Sequence, residues 1–313
     1  MNQDKIVVVM GGPSTEAEIS RQTGTAILKA LQSKGYAAEG MELDPPNFAE
    51  QIKKSGCSMV FNALHGKYGE DGVLQGTLDM LGIPYTGSGV LAAAVTMDKA
   101  ASKRVFLGAG ISTPRSRTYY SYEMKRDLAA EIARDFSIPV VVKAASQGSS
   151  IGVVIVEKKE ELKSALEEAF RYNDEVLVEE FIQGKELTVA VWGNEETAEA
   201  FPIIEITTAS GRYDYESKYT KGASTHIIPA RVSKELTGKI QALAVDTFRA
   251  CGCRGVARVD MMLSEAEVPY VIEVNSVPGM TELSLVPDAG RAMGVEFPEL
   301  CERILEMAGF SKK

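Results

Sequence analysis

Four polar side chains alternate with apolar residues in two neighbouring runs of the sequence, 255–263 and 268–275. The four are Arg258, Asp260, Glu273 and Asn275. A short polar connection between the runs predicts an antiparallel β-hairpin. Because side chains alternate along a strand, an odd sum of paired residue numbers places all four on one face of this hairpin. The other face is then expected to be core, and it carries Ala257, Val259, Met261, Ile272 and Val274.

This grouping predicts a site for magnesium and phosphate. Carboxylate and amide oxygens are ligands that Mg2+ prefers, so Asp260, Glu273 and Asn275 are candidate metal ligands. The guanidinium of Arg258, beside the metal, could hold phosphate oxygens or stabilise a developing oxyanion. A structural ion pair at a sheet edge is the alternative interpretation, and one acid with one arginine would usually form that. Four polar residues on one face favour the chemical site.

A second group of candidate residues surrounds a loop of small residues. Lys143 ends an apolar strand and precedes the loop 144–152, which leads into a further strand. Glycines in the loop let backbone N–H groups approach phosphate oxygens, and Ser149 and Ser150 add hydroxyl donors. Lys143 would add a positive charge. The pattern predicts a hairpin that bends over a phosphate group, and an ordinary flexible hairpin is the alternative.

Two further features also have an alternative interpretation without a chemical role. Lys99 opens a predicted helix, where a lone lysine is normally just solvated. The acidic hinge 177–186 joins the middle part of the chain to the last part. It could bond to an adenine ring and to ribose hydroxyls, or it could be a charged corner of the surface.

The predicted elements around these residues divide into three parts. Alternating strands and helices over residues 1 to about 95 predict an open parallel α/β sheet, which usually binds ligands beyond the carboxyl ends of its strands. A compact α+β part follows, and then a part rich in strands that ends in helices. A chain of 313 residues fits two or three domains. We therefore predict an α/β (α+β) protein with domains 1–96, 97–183 and 184–313.

Composition narrows the classes of function. A chain that is 45% hydrophobic and 25% charged is typical of a soluble globular protein. Its net charge of −9, without a basic run, argues against nucleic acid or an anionic membrane as the main partner. No apolar stretch reaches the roughly 18 residues of a transmembrane helix, and the amino-terminal residues do not resemble a signal peptide. The spacing of the four cysteines indicates reduced thiols in a cytoplasmic protein.

Seven segments, in this order, resemble the D-alanine–D-alanine ligase family of the ATP-grasp superfamily. Any one of them is modest evidence, but the set covers nearly the whole chain. The segments are 11–20, 63–72, 96–99, 148–152, 213–219, 258–260 and 273–281, with Ser284 and Leu285 after the last.

The resemblance implies an ATP-grasp fold and a two-step reaction. ATP phosphorylates the carboxylate of one D-alanine, and the amine of a second D-alanine attacks the acyl phosphate. ADP, phosphate and D-alanyl-D-alanine, a precursor of peptidoglycan and the cell wall, are the products. Two Mg2+ ions, or Mn2+ in their place, would be held by Asp260, Glu273 and Asn275. A cytoplasmic homodimer is also implied.

The resemblance further implies a role for each matching residue on the nucleotide side. Side chains and loop groups that would contact the phosphates are Lys99, Lys143, Ser149, Ser150 and Lys218. Those that match the adenosine pocket are Glu179, Phe181, Ile182, Glu186 and Met262.

On the amino-acid side, Glu16 would bind the ammonium of the first D-alanine and His65 would lie near its carboxylate. Arg258 and a backbone N–H near Gly279 would stabilise the tetrahedral oxyanion. The residues that would receive the carboxylate of the second D-alanine are Ser284 and Leu285. The hydrogen-bonded trio near the attacking amine would be Glu16, Ser149 and Tyr219.

Three alternatives remain open at this point. Tyr219 implies an amine as the acceptor, so ligation of D-alanine to D-lactate is the minor option within the family. A carboxylase of the ATP-grasp superfamily would share the acidic hairpin but should lack Glu16 and the segment 213–219. A non-catalytic ATP-binding regulator could keep the nucleotide pocket without needing Glu16, Arg258, Tyr219 and Ser284 together.

Overall fold

The computed structural model describes residues 4–148, 151–208, 220, 222–281 and 284–311. Within these ranges the strands form three sheets, of which the first is parallel. Its middle strand β1 (Lys5–Met10) pairs with β2 (Ala37–Glu42) on one side and with β3 (Met59–Asn62) on the other. This arrangement confirms the predicted parallel α/β sheet at the amino-terminal end.

Strand β1 is an unbroken apolar run because helices cover both of its faces. On one face, Ile6 and Val8 pack against Ile27 and Leu31 of helix α1 (Ala17–Ser33). The opposite face packs against two short helices that the sequence patterns left unassigned. They are α2 (Phe48–Ser55) and α3 (Val73–Leu81).

Two consecutive helices lead from the first sheet to the second. Helix α4 (Val90–Met97) and helix α5 (Lys99–Gly108) are separated by the single residue Asp98. The carboxylate of Asp98 accepts a hydrogen bond from the backbone N–H of Ala101 at 2.7 Å, which caps α5. This cap fixes the position from which the side chain of Lys99 leaves the helix.

The second sheet is antiparallel, in the order β4 (Ser116–Tyr120), β7 (Glu175–Glu180), β5 (Val140–Ala144) and β6 (Val153–Val156). Helices α6 (Leu128–Asp135) and α7 (Leu162–Phe170) cover one face, where Val142 and Val178 are buried. Because strand residues alternate, Lys143 and Glu179 point to the other face.

The third sheet is also antiparallel, in the order β11 (Ser224–Ile227), β10 (Ile204–Thr208), β8 (Gly184–Gly193), β12 (Gly255–Ser264) and β13 (Pro269–Asn275), with β9 (Glu199–Ala200) paired to β8. Helix α8 (Lys234–Ala250) packs on one face against Ala257 and Val259 of β12.

The pairing of β12 with β13 has the register that the polar residues require. Arg258 lies opposite Asn275, and Asp260 lies opposite Glu273. A bulge follows Asp260 and shifts the register by one residue, so Ile272 is partly buried and lines a cleft. The prediction that Ile272 belongs to the core was therefore wrong, because a continuous ladder was assumed.

The last two helices return to the first sheet. Helices α9 (Leu285–Ala292) and α10 (Phe297–Glu306) share one apolar cluster with β1 and α1. The boundaries 1–96, 97–183 and 184–313 remain a prediction, since the first and last parts have this core in common. None of the helices among the described residues is long and apolar enough to cross a membrane.

Candidate active site

Two adjoining cavities lie between the second and third sheets and the loops of the first. The larger has a volume of about 230 Å3 and the smaller about 180 Å3. Lys99 and Glu273 line both cavities, so the two meet at these side chains. The Nζ atom of Lys99 is 3.4 Å from Oε2 of Glu273 at this junction.

The polar face of the acidic hairpin forms the floor of the junction. Arg258 donates two hydrogen bonds to Asp260, from Nε to Oδ1 at 2.8 Å and from Nη2 to Oδ2 at 2.7 Å. The hydroxyl of Thr188, on β8, donates to Oδ1 of Asp260 at 2.6 Å. These bonds fix the rotamer of Asp260 on a rigid sheet.

The ligand atoms in this hairpin fit magnesium. Among the described residues, no group of three histidine, cysteine or acidic side chains is arranged to hold a metal ion. The set here is instead two carboxylates and the amide of Asn275. Mg2+ is commonly bound by one or two carboxylates together with water and substrate phosphates, so few protein ligands suffice.

A cluster of two lysines and one glutamate forms the wall of the smaller cavity. Glu179 is 1% exposed and forms ion pairs with Lys143 and with Lys103, the latter at 2.8 Å. Burial alone would raise the pKa of Glu179, but the two ammonium groups hold it below its usual value. Burial lowers the pKa of Lys103 against the attraction of Glu179. The carboxylate is therefore ionised, and each of its two oxygens is paired with one lysine.

The rest of the smaller cavity is mainly apolar. Its lining comes from both antiparallel sheets and from the turn between β7 and β8. A flat ring would find apolar walls here, with polar groups at one end, as is usual for a ligand pocket. The apolar or partly apolar side chains are Val141, Val153, Ile155, Phe181, Ile182, Met261, Met262 and Ile272.

Glu16 lies at the far end of the larger cavity, where two glycines allow the chain to approach it. A Cβ atom on Gly148 would lie 2.7 Å from Oε2 of Glu16, and one on Gly66 would lie equally close to that oxygen. Any side chain at either glycine would displace the carboxylate. The loop after β5 and the loop after β3 therefore meet around Glu16.

His65 is buried in the same wall, and both of its ring nitrogens have partners. Nδ1 is 3.1 Å from the carbonyl oxygen of Val277 and must donate to it, while Nε2 accepts from the hydroxyl of Thr23 at 3.0 Å. Burial lowers the pKa of His65 to about 4, and the charge of Arg258 contributes. The ring is neutral at pH 7 and contributes its shape and orientation rather than a positive charge.

Glu70 lines the larger cavity, although the sequence patterns gave it no role. Its Oε2 accepts from the backbone N–H of Gly66 at 2.8 Å. Burial, together with the nearby charge of Glu16, raises the pKa of Glu70 well above its usual value. Glu70 stands within the segment 63–72, but the sequence alone does not show that its carboxyl group is buried beside Glu16.

The amino-terminal end of α9 forms the remaining wall. Ser284 precedes α9, and its hydroxyl accepts from the backbone N–H of Thr281 at 3.0 Å. Gly279 faces it, since a Cβ there would lie 3.0 Å from Oγ of Ser284. The start of a helix attracts carboxylates through its unpaired backbone N–H groups.

Comparison with known proteins gives the family. A family model described as "D-ala D-ala ligase C-terminus" matches residues 109–306, and one described as "D-ala D-ala ligase N-terminus" matches residues 39–88. The D-alanine–D-alanine ligase of Pelotomaculum thermopropionicum is 48% identical over 308 residues, which are 97% of this chain and 96% of that protein. The chain belongs to the D-alanine–D-alanine ligase family.

Other members agree in sequence and in structure. The D-alanine–D-alanine ligase of Desulforudis audaxviator is 47% identical over 97% of this chain and 98% of its own length. The Bacillus anthracis D-alanine–D-alanine ligase complexed with ATP superposes with a TM-score of 0.84 at 34% identity, covering 97% of each chain. VanG D-Ala:D-Ser ligase from Enterococcus faecalis gives a TM-score of 0.83 at 31% identity, covering 97% of this chain and 99% of that one. The predicted ATP-grasp fold is thereby confirmed.

Most of the predicted site residues line the two cavities of this ligase. In the larger cavity are Glu16, His65, Lys99, Arg258, Glu273, Asn275, Gly279, Ser284 and Leu285. In the smaller cavity are Lys99, Lys143, Glu179, Phe181, Ile182, Glu186, Asp260, Met262 and Glu273. Outside the described residues lie Ser149, Ser150, Lys218 and Tyr219. The individual roles remain predictions.

The buried site of His65 leads to a prediction about its protonation. We expect the ring to stay neutral, with the proton on Nδ1, at pH 6, because the folded pKa of about 4 lies below the ordinary 6.5. Since the unfolded chain takes up this proton first, the contribution of His65 to stability decreases as the pH falls from 6.5 towards 4. Long-range 1H–15N correlation spectra of histidine-labelled protein measure the charge and tautomer.

The chain has only two histidines, so a His226→Asn variant leaves the signals of His65 alone. A charged imidazolium at pH 6, or a neutral ring with its proton on Nε2, would contradict the assignment.

Proposed function

We propose that this ligase joins two molecules of D-alanine to D-alanyl-D-alanine, with cleavage of ATP to ADP and phosphate. The observation that carries the proposal is the junction of the two cavities at Lys99 and Glu273. A triphosphate in the smaller cavity would direct its terminal phosphate towards an amino acid in the larger one. Transfer between two bound substrates requires this kind of shared boundary.

In the first step, a carboxylate oxygen of the first D-alanine attacks the terminal phosphorus of ATP, and the bond to ADP breaks. Lys143 and Lys99 lie along the path from the smaller cavity to the junction, which supports contacts with the phosphates. The developing charge on the ADP oxygens would be stabilised by these ammonium groups. The proposed adenosine contacts are supported by the apolar lining that includes Met262 and Ile182.

Asp260, Glu273 and Asn275 are the residues that would hold magnesium. Bound Mg2+ would neutralise phosphate charge and orient the terminal phosphoryl group for attack. Asp260 and Glu273 lie directly opposite each other on paired strands. Like charges directly opposite each other repel. Arg258 beside Asp260 and Lys99 beside Glu273 offset this repulsion.

In the second step, the amine of the second D-alanine attacks the acyl carbon, and phosphate leaves from the tetrahedral intermediate. Arg258 and the backbone near Gly279 line the larger cavity, which supports their role towards the oxyanion. The helix start at Ser284 and Leu285 would bind the carboxylate of the attacking amino acid. The ammonium must lose a proton before it attacks. Glu16, the described member of the proposed trio, lines the larger cavity, which supports a role in this proton transfer.

The product places this ligase in the synthesis of peptidoglycan precursors for the cell wall. We propose that it works in the cytoplasm, where ATP is available. Its four cysteines are all free thiols, which is consistent with a reducing compartment.

We also propose a homodimer. Large apolar side chains that are strongly exposed lie on α3, α4 and α5. Helix α3 contacts α4, and α4 contacts α5. Apolar side chains exposed on neighbouring helices favour an interface between subunits. They are Val73, Met80, Leu91 and Leu107, with Met80 90% exposed.

The activity is tested by coupled detection of ADP together with mass spectrometry of the product. We expect ADP and D-alanyl-D-alanine with D-alanine, and no ADP with L-alanine or with bicarbonate. D-lactate or D-serine added beside D-alanine measures the choice of acceptor. Preferential formation of D-alanyl-D-lactate would support the minor alternative, and ADP release that depends on bicarbonate would contradict the ligase.

Glu273→Gln tests the metal site. We expect kcat/KM to fall by at least about 100-fold and the Mg2+ requirement to rise, because an amide replaces a charged ligand. Glu265→Gln, on the exposed turn of the same hairpin, is the matched control and should leave both unchanged. An unaltered Mg2+ titration for Glu273→Gln would exclude this residue as a ligand.

The homodimer is tested by sedimentation. We expect twice the chain mass of 33.8 kDa for the wild-type protein and the mass of one chain for Met80→Glu. A charge at this position would have to be desolvated in the interface. A wild-type protein that sediments as a monomer at micromolar concentration would reject the proposal.

A further inference from the structure

Lys103 is a buried cation that the proposed reaction leaves without a role. It is 4% exposed and lies behind the wall of the smaller cavity rather than in its lining. Its Nζ is 2.8 Å from Oε2 of Glu179 and donates to Oγ1 of Thr113 at 2.5 Å. Because burying an ammonium is costly unless it is paired, the buried position of Lys103 calls for a physical reason.

The carboxylate of Glu179 has a lysine on each of its two sides. Lys143 pairs with Oε1 from the cavity side, and Lys103 pairs with Oε2 from behind. On the sheet, Val141 lies opposite Glu179, so Lys143 is its diagonal neighbour on the same face. Lys103 stands one turn after Lys99 on α5, so a single helix presents one lysine to the junction and one to the back of Glu179.

The position of Lys103 is also fixed from the third sheet. The hydroxyl that accepts from Lys103 belongs to Thr113, and it donates in turn to the carbonyl oxygen of Val271 at 2.7 Å. Val271 lies in β13, the strand that carries Glu273. The ammonium therefore lies where α5, β7 and β13 meet, and its place does not depend on a mobile surface contact.

The net charge of Lys143, Glu179 and Lys103 together decides how strongly this cluster attracts an anion. Lys143 and Glu179 alone would form a neutral pair, and a neutral pair offers little attraction to a polyanion. Lys103 makes the group of three net positive by one charge. It occupies one carboxylate oxygen of Glu179, so Lys143 does not have to neutralise the whole carboxylate.

We propose that Lys103 is a positioning residue for the nucleotide phosphates: it neutralises Glu179 from behind and so leaves the ammonium of Lys143 available to ATP. The inference rests on the proposed binding of ATP in the smaller cavity. This role differs from packing in two ways. It requires the positive charge of Lys103, and it matters only while Glu179 carries its negative charge.

Lys103→Met removes the charge and keeps the length of the side chain. We expect the KM for ATP to rise about tenfold, which corresponds to the loss of one charged contact, while the KM for D-alanine changes less than about twofold. Inorganic tripolyphosphate, as a competitor of ATP, isolates the phosphate contacts from the adenine contacts. Its inhibition constant should rise by a factor similar to that for the KM of ATP.

The double variant Lys103→Met/Glu179→Gln is the decisive comparison. Both buried charges are then absent, so Lys143 again faces the cavity with its charge uncancelled. We expect the inhibition constant of tripolyphosphate to return to within about twofold of the wild-type value. A residue that acts by packing alone would not be rescued by a second substitution in the same cluster.

Lys143→Met separates the outcomes. If it leaves tripolyphosphate inhibition unchanged, the proposed nucleotide site is wrong. If it weakens inhibition while Lys103→Met does not, or if the double variant shows no recovery, the role of Lys103 is wrong. In the double variant the one charge left in the cluster is that of Lys143, which lines the smaller cavity. The double variant is measured if Lys103→Met alone does not fold; wild-type inhibition then supports the inference, and a tenfold loss overturns it.

Discussion

The pairing of β12 with β13 is the constraint on which the active site depends. Its register sets Asp260 opposite Glu273 and Arg258 opposite Asn275, and the bulge begins only after this polar patch. A slip by one residue would turn the carboxylates into the core and the apolar residues into the cleft. Burial of Val259 and Val274 beneath the hairpin opposes that slip, so the same packing that stabilises the third sheet also aims the candidate metal ligands.

Around this rigid patch, the ligase balances charges that would otherwise repel one another. Asp260 is held by Arg258, Glu273 lies beside Lys99, and Glu179 is shared by two lysines. A chain with a net charge of −9 repels polyanions at long range, so the local cations must supply the attraction for ATP. Helix α5 contributes Lys99 and Lys103 one turn apart, so the cap at Asp98 that fixes the start of this short helix also fixes the positions from which both lysine side chains extend.

The sequence predicted the features that follow from short-range periodicity. Alternation revealed the polar face of the hairpin, and the apolar run of β1 revealed a strand covered on both sides. The bulge that turns Ile272 into the cleft has no signal in a single sequence, because a bulge depends on how the partner strand is paired. Lys103 was missed because a lysine on a helix is normally solvated, and only the packing of three elements shows that it is buried. The neutral state of His65 likewise depends on burial among residues far away in sequence, while the carbonyl of Val277 sets which ring nitrogen carries the proton.

The central claim is that one cleft holds magnesium and nucleotide phosphates between the acidic hairpin and Lys143. The most direct test is a crystal structure of the wild-type ligase with ADP and Mn2+, using anomalous scattering to locate the metal. The account predicts anomalous peaks within bonding distance of Asp260, Glu273 and Asn275, with the phosphates of ADP between them and Lys143. Metal bound away from these three residues, or ADP bound outside the smaller cavity, would contradict it.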